Sequence, residues 1–374
     1  ERERERERER ERRRQERRRE EEGREGWRLC LLGTTMGCVM STAIACLLCN
    51  HGCSIGSVVS GFAFFPPSPP SYSLLEGSAP EEGSEETSSS LSLSFTHAEH
   101  ARLAARIAAT ATDAGVKLEA RTVPTRRGQT IALLHCVHPA ASATILWSHG
   151  NAMDIGELYF FLLQLCLHLR VNVVAYDYSG YGASTGKPSE ANCYADIQAV
   201  YEYICECGVD PATQLVVYGQ SVGSAPSLWL ATRTKVAAVV LHTPLLSGLR
   251  VLIPPHGGCC TVAGCCSPTC VYALCDPFPN RKRIGNVKCP VLLMHGTADT
   301  TVDCSHTHSL YKRCPEHLRH EPYILPGAGH DNLIEANPQR YFQTLRRFIA
   351  DTCGQPQQQR DRPIAPVPPV LGAH

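Results

Sequence analysis

Gln214-Leu215-Val216-Val217-Tyr218-Gly219-Gln220-Ser221-Val222-Gly223, followed by an apolar run through Leu228 to Thr232, decides how this chain folds. The first five residues have strand length and β-branched content, and the segment after Gly223 has the composition of a helix. Gly-x-Ser-x-Gly between a strand and a helix is the signature of a nucleophile elbow, a turn so sharp that side chains at either flank would clash. The helix starting behind Ser221 would aim its amide end at an oxyanion forming there. The Val222 backbone N–H is the first expected donor.

A serine hydroxyl is a weak nucleophile at neutral pH, so the elbow predicts a base and an acid downstream. The strand-like Val291–Met294 runs into His295-Gly296-Thr297-Ala298-Asp299, which puts Asp299 just past a strand end. Gly327-Ala328-Gly329-His330-Asp331 places a histidine on a Gly-rich loop before the last helix. Ser221, Asp299 and His330 follow one another in the order expected of a serine hydrolase built on a parallel sheet. Asp303 and Asp331 are the rival acids; Asp303 is expected in a following helix, and Asp331 adjoins the base itself. Trp147-Ser148-His149-Gly150-Asn151-Ala152 follows another strand, where the second oxyanion donor belongs. That donor is the amide of Asn151 or of Ala152, and His149 is read as a loop-packing residue.

Outward from these motifs, Thr130–Val137, Thr144–Trp147, Val171–Tyr176, Ala237–Leu241 and Val291–Met294 also read as strands, several with helical segments between them. The alternation predicts an α/β fold, a mainly parallel sheet covered by helices on both faces, over residues 99–353. Asp177-Tyr178-Ser179-Gly180-Tyr181-Gly182-Ala183-Ser184 lacks the Gly-Lys-Ser/Thr end of a phosphate loop, so it is read as a turn that shapes the pocket. Cys259, Cys260, Cys265, Cys266, Cys270 and Cys275 do not repeat a paired Cys-x-x-Cys spacing, so no metal site is expected, and no cofactor.

The 374 residues balance 36 Lys plus Arg against 36 Asp plus Glu, which gives no reason to expect a nucleic-acid partner. Of the twenty cysteines eleven cluster at 30–53 and 259–275, and the set does not spread as a disulfide framework. Residues 1–35 open with a Glu/Arg alternation; a GA dinucleotide repeat encodes such an alternation, and the first methionine is Met36, so this stretch is read as possible mistranslated leader. No charge occurs from Leu29 to Cys49, a length that would also suit a membrane span or a signal peptide. If translation starts at Met36, Met36-Gly37-Cys38-Val39-Met40-Ser41 matches the N-myristoylation pattern at Gly37. Cys38, Cys46, Cys49 and Cys53 then become acylation candidates, and residues 36–65 a membrane-anchoring segment. The Pro-, Ser- and Glu-rich residues 66–98 read as a linker, and 354–374 as a disordered tail.

Taken together, Ser148-His149-Gly150-Asn151-Ala152, Tyr176 to Ser184, Tyr218-Gly219-Gln220-Ser221, His295 to Asp299 and Gly327 to His330 resemble the α/β-hydrolase domain-containing protein 17 family. So does Phe62-Ala63-Phe64-Phe65-Pro66-Pro67, and the likeness runs from about Cys46 to Ile349. The resemblance implies the α/β-hydrolase fold and a membrane-tethered acyl-protein thioesterase that removes palmitate from cysteines of membrane proteins. It implies a catalytic triad at Ser221, Asp299 and His330, an S-acylated cysteine cluster as anchor, and a place on the cytoplasmic face of plasma or endosomal membranes. The expected partners are S-acylated membrane proteins as substrates and membrane lipid through the acylated amino end. The 256–275 stretch departs from the family as a Cys-rich insertion where a cap could cover the pocket. A carboxylesterase or lysophospholipase with the same triad, or a tethered non-catalytic scaffold, are the alternative readings.

Overall fold

The computed structural model describes residues 63–76, 91–252 and 276–354. One compact unit comprises 59–251 and 277–374; the other comprises 1–58 and 252–276, of which only Leu252 and Asp276 are described. The first unit is built on a ten-stranded sheet. Its strands are β1 (Tyr72–Glu76), β2 (Leu91–Phe95), β3 (Lys117–Pro124), β4 (Thr130–Val137), β5 (Thr144–Ser148), β6 (Asn172–Tyr176), β7 (Leu215–Gln220), β8 (Ala238–His242), β9 (Val291–Gly296) and β10 (Tyr323–Leu325). They lie in the order β1-β2-β3-β4-β6-β5-β7-β8-β9-β10. From β1 to β4 and on to β6 every pairing is antiparallel, and from β6 to β10 every pairing is parallel.

Central strands buried on both faces need apolar residues at successive positions, and β5 and β7 are buried throughout. Successive side chains go to opposite faces. Ile145, Trp147, Val173, Ala175, Val216, Tyr218, Leu292 and Met294 join one core, while Leu146, Val174, Tyr176, Val217, Leu241 and Leu293 join the other. The first core is covered by α1 (Ala98–Asp113), α2 (Ile155–Leu169) and α6 (Pro338–Thr352). The second is covered by α3 (Glu190–Glu206), α4 (Ser224–Ala231) and α5 (Ser305–Arg313). Helix α6 shows how sequence selects a face. Tyr341, Phe342, Leu345, Phe348 and Ile349 recur at helical spacing and are buried, Asn337 caps the first turn, and Pro338 needs no amide partner there. Helix α2 is buried nearly all round, and each fully buried leucine there is worth about 1.5–3 kcal/mol.

The α/β architecture and the six expected strands are present, with ends shifted by a few residues. The expectation for residues 66–98 requires correction. That stretch supplies β1 and β2, and the folded unit therefore starts well before Glu99. Its composition misled because short Ser/Leu strands at a sheet edge carry little apolar signal, while Pro, Ser and Glu dominate the count. Ala63–Phe65, read as part of the anchor, also pack on this unit, with Phe64 buried. The Glu/Arg stretch, Gly37, Cys38, Cys46, Cys49, Cys53, the 256–275 insertion and the tail from 355 onward lie outside the described residues. Among the described residues no helix is long and apolar enough to cross a membrane, and the nine described cysteines are free.

Candidate active site

The parallel half of the sheet sends its carboxyl ends to one edge, where three loops meet. Strand β7 ends at Gln220, Ser221–Gly223 form a single 3-10 turn, and α4 continues from Ser224. Ser221 is held at φ +51°, a left-handed conformation that costs a residue with a side chain about 1–3 kcal/mol. Packing enforces it. A Cβ at Gly219 would press on the Gly223 carbonyl and come within 2.6 Å of Ser227 Oγ, and one at Gly223 would press on Ser148 and approach the His149 carbonyl to 2.7 Å. The Gly-x-Ser-x-Gly spacing is thus a requirement of close backbone approach.

The structure brings Ser221, His330 and Asp299 into one chain of hydrogen bonds. His330 Nε2 lies 3.0 Å from Ser221 Oγ, and His330 Nδ1 lies 2.6 Å from Asp299 Oδ2. Because a carboxylate only accepts, Nδ1 carries the proton and Nε2 is left as the acceptor facing the serine hydroxyl. Burial works against the Asp299 charge, yet hydrogen bonds from His295 and His330 and from the Val302 amide outweigh it and hold the carboxyl well below the usual range. Oδ1 accepts from the amides of Thr301 at 2.9 Å and Val302 at 2.8 Å. Of the rival acids, Asp303 lies ahead of α5 instead of within it and accepts from Ser305 N at 2.9 Å, and Asp331 is exposed.

His295 was quoted in the sequence motif without a role. Its Nε2 is 3.0 Å from Asp299 Oδ2 and 2.8 Å from the Val302 carbonyl, and its Nδ1 is 2.6 Å from Thr307 Oγ1. Two acceptors at Nε2 put the proton there, so His295 is a second donor that orients the acid. The only signal was a His four residues ahead of an Asp across a turn.

On the opposite side, the loop after β5 carries Asn151 and Ala152. The Ala152 amide is already engaged, donating to Asn151 Oδ1 at 2.9 Å, and Ala152 sits at φ +56°. The Asn151 backbone amide donates to no protein acceptor among the described residues. His149 is fully buried; its Nδ1 donates to the Gly150 carbonyl at 2.7 Å, and its ring lies 4.3 Å from that of Tyr178. It packs the loop, as expected. The loop 177–184 likewise makes structure: Asp177 is buried and accepts from Ile155 N at 2.9 Å and from Tyr72 Oη at 2.6 Å. Burial pushes the Asp177 carboxyl up, opposed by the neighbouring His149. No cluster of three or more metal-ligating side chains occurs among the described residues.

The fold agrees with what the chain is similar to. A sequence model of the alpha/beta hydrolase fold matches residues 143–256. An esterase of Pyrococcus furiosus superposes with a TM-score of 0.52 at 17% identity, covering 65% of this chain and 95% of that one, a likeness of fold. Alpha/beta hydrolase domain-containing protein aho-3 of Caenorhabditis elegans is 40% identical, over 82% of this chain and 81% of its own length. Alpha/beta hydrolase domain-containing protein 17B of Homo sapiens is 38% identical, over 82% of this chain and 95% of its own. At that identity and coverage the family is shown: the chain is a hydrolase of the α/β-hydrolase domain-containing protein 17 family.

Proposed function

We propose that the chain is a serine acyl hydrolase that cleaves fatty-acyl thioesters on cysteines of membrane-associated proteins. The observation that carries the reading is the Ser221–His330–Asp299 hydrogen-bond chain at a strained elbow. In the first half-reaction His330 Nε2 takes the Ser221 proton while Oγ bonds to the acyl carbon. The carbonyl becomes an oxyanion that accepts from the Val222 amide and, since the Ala152 amide is occupied, from that of Asn151. Collapse breaks the carbon–sulfur bond, and the cysteine sulfur leaves with the proton carried by His330. In the second half, water attacks acyl-Ser221, His330 accepts and returns a proton, and the fatty acid departs. Asp299 stays ionised throughout and stabilises the imidazolium.

The thioester preference rests on family membership and on the sequence features that would place the enzyme beside acylated cysteines. In the protein made from Met36, Gly37 myristoylated and Cys38, Cys46, Cys49 and Cys53 available for S-acylation would hold the chain on the cytoplasmic face of a membrane, because one myristoyl chain alone binds only marginally. Turnover of S-acyl and O-acyl substrates of one chain length tests the chemistry. The reading predicts a higher kcat/KM for the S-acyl member, and a clear O-acyl preference would favour a carboxylesterase or lysophospholipase. Labelling with myristate and palmitate analogues, with membrane fractionation, tests the anchor. Replacing the four cysteines by Ser should leave myristate in place and release the protein, whereas retention through alkaline carbonate would mean that the segment spans the bilayer.

A further inference from the structure

The Asn151 side chain does something its backbone role does not require. Its Oδ1 accepts from Phe65 N at 2.9 Å, Ala152 N at 2.9 Å and Tyr181 Oη at 2.7 Å, and its Nδ2 donates to the Ala63 carbonyl at 3.0 Å. Two backbone amides can only donate, so the orientation of the carboxamide is forced. Asn151 therefore grips Ala63–Phe65 as a neighbouring strand would. Phe64 pins the same segment from beneath, buried edge-on against Tyr181 at 6.3 Å and Phe278 at 5.8 Å. A few residues on, Ser71 N donates to Asp154 Oδ2 at 2.8 Å and Tyr72 Oη to Asp177. Asp154 also caps α2, the helix that the oxyanion loop feeds.

The loop itself has little else to fix it. No backbone-to-backbone hydrogen bond among the described residues involves residues 150–153. Its shape depends on side chains, and the Asn151 carboxamide, tied to a segment 86 residues earlier in the chain, is the most connected of them.

We propose that the Asn151 side chain and the strap Ala63–Phe65 together position the Asn151 backbone amide as oxyanion donor, so that seating of the segment leading from the Cys-rich amino end sets the rate of acyl transfer. The inference rests on the serine-hydrolase reading above. Asn151's side chain and Phe64 are positioning groups; neither need touch the acyl chain.

The test uses the full chain in detergent with a soluble acyl thioester, following kcat and KM separately alongside the thermal midpoint. Asn151→Ala should lower kcat about 10- to 100-fold, as misplacement of an oxyanion donor does, with KM within about twofold. Phe64→Ala should lower kcat about 3- to 10-fold, and should add little in the Asn151→Ala background because the two act through one contact. If Asn151→Ala does not fold, Tyr181→Phe, which deletes one hydroxyl from the grip, decides with a fall in kcat of a few fold. Wild-type kcat in the folded variants, a loss confined to KM, or independent multiplication of the two losses would overturn the proposal. Amide hydrogen exchange at residues 150–153 reads the strap without turnover. Exchange at least about tenfold faster in Phe64→Ala supports the coupling, and unchanged exchange refutes it. Failure of the hydrolase reading shows elsewhere, as a folded wild-type protein that neither turns over acyl substrates nor labels with a fluorophosphonate.

Discussion

The two halves of the sheet are built to different rules. From β6 to β10 the strands are parallel and end in the loops that bear Ser221, Asp299 and the oxyanion segment. The antiparallel half from β1 to β4 bears none of the triad, and its outer strands are half-exposed. Yet its leading segment is bonded to the oxyanion loop through Asn151 and Asp154. The parallel half carries the candidate reacting groups, and the antiparallel half bonds to the loop after β5, whose residues 150–153 make no backbone-to-backbone hydrogen bond among the described residues.

The contrast breaks most sharply at the acid. Asp299→Asn should reduce kcat by about 10⁴-fold, since a neutral partner favours the wrong imidazole tautomer, while Asp303→Asn should change it by less than about tenfold. Steady-state rates on the two purified variants check this, and reversed magnitudes would move the acid to Asp303.

Packing gives the next contrast. Leu163→Ala, at a fully buried position of helix α2, should cost about 2–5 kcal/mol of stability by the cavity it leaves. Leu75→Ala, at an edge position 52% exposed, should stay within about 0.5 kcal/mol. Urea unfolding of both variants, at unchanged m-value, measures the difference.

The smallest effect concerns pH. His242, at the end of β8, is fully buried; burial, and then the nearby His330 and His295, push its imidazole down to about 3. Its Nδ1 is 2.9 Å from Tyr218 Oη, itself 2.6 Å from Tyr341 Oη. The unfolded chain takes up a proton near pH 6.5 that the folded one refuses, so stability is full above that value and is lost as pH falls towards 3. Asp299 acts lower: its contribution is present above the unfolded carboxylate value of about 3.9 and fades only below that. His242→Gln should therefore flatten the stability profile between about pH 6 and 4. An unchanged slope in urea melts across that window would show that another group carries the acid sensitivity.

The same division explains what the sequence could convey. The strands read at Gln214–Tyr218 and Val291–Met294 announced themselves because strands buried on both faces must be largely apolar, and the residues that follow them inherit fixed positions. Lys117–Pro124 did not: it alternates charged and apolar residues, as suits a strand with only part of one face covered. Tyr323–Leu325 is too short to show a period. The grip of Asn151 on Phe65 and that of Asp177 on Tyr72 join residues 86 and 105 apart, and no local pattern encodes a hydrogen bond between an amide side chain and a distant backbone. Ser221, Asp299 and His330 could be named because each follows a motif; His295 and the carboxamide of Asn151 became partners only when the loops met.

The proposed mechanism stands on Ser221 as its nucleophile. Intact-protein mass spectrometry after treatment with a fluorophosphonate tests it most directly, on the wild-type chain and on Ser221→Ala, which removes a single oxygen from the elbow and should keep the fold. Stoichiometric phosphonylation of the wild type, mapped to the peptide containing Ser221, and none of the variant are expected. Labelling of folded Ser221→Ala protein at wild-type stoichiometry would contradict it.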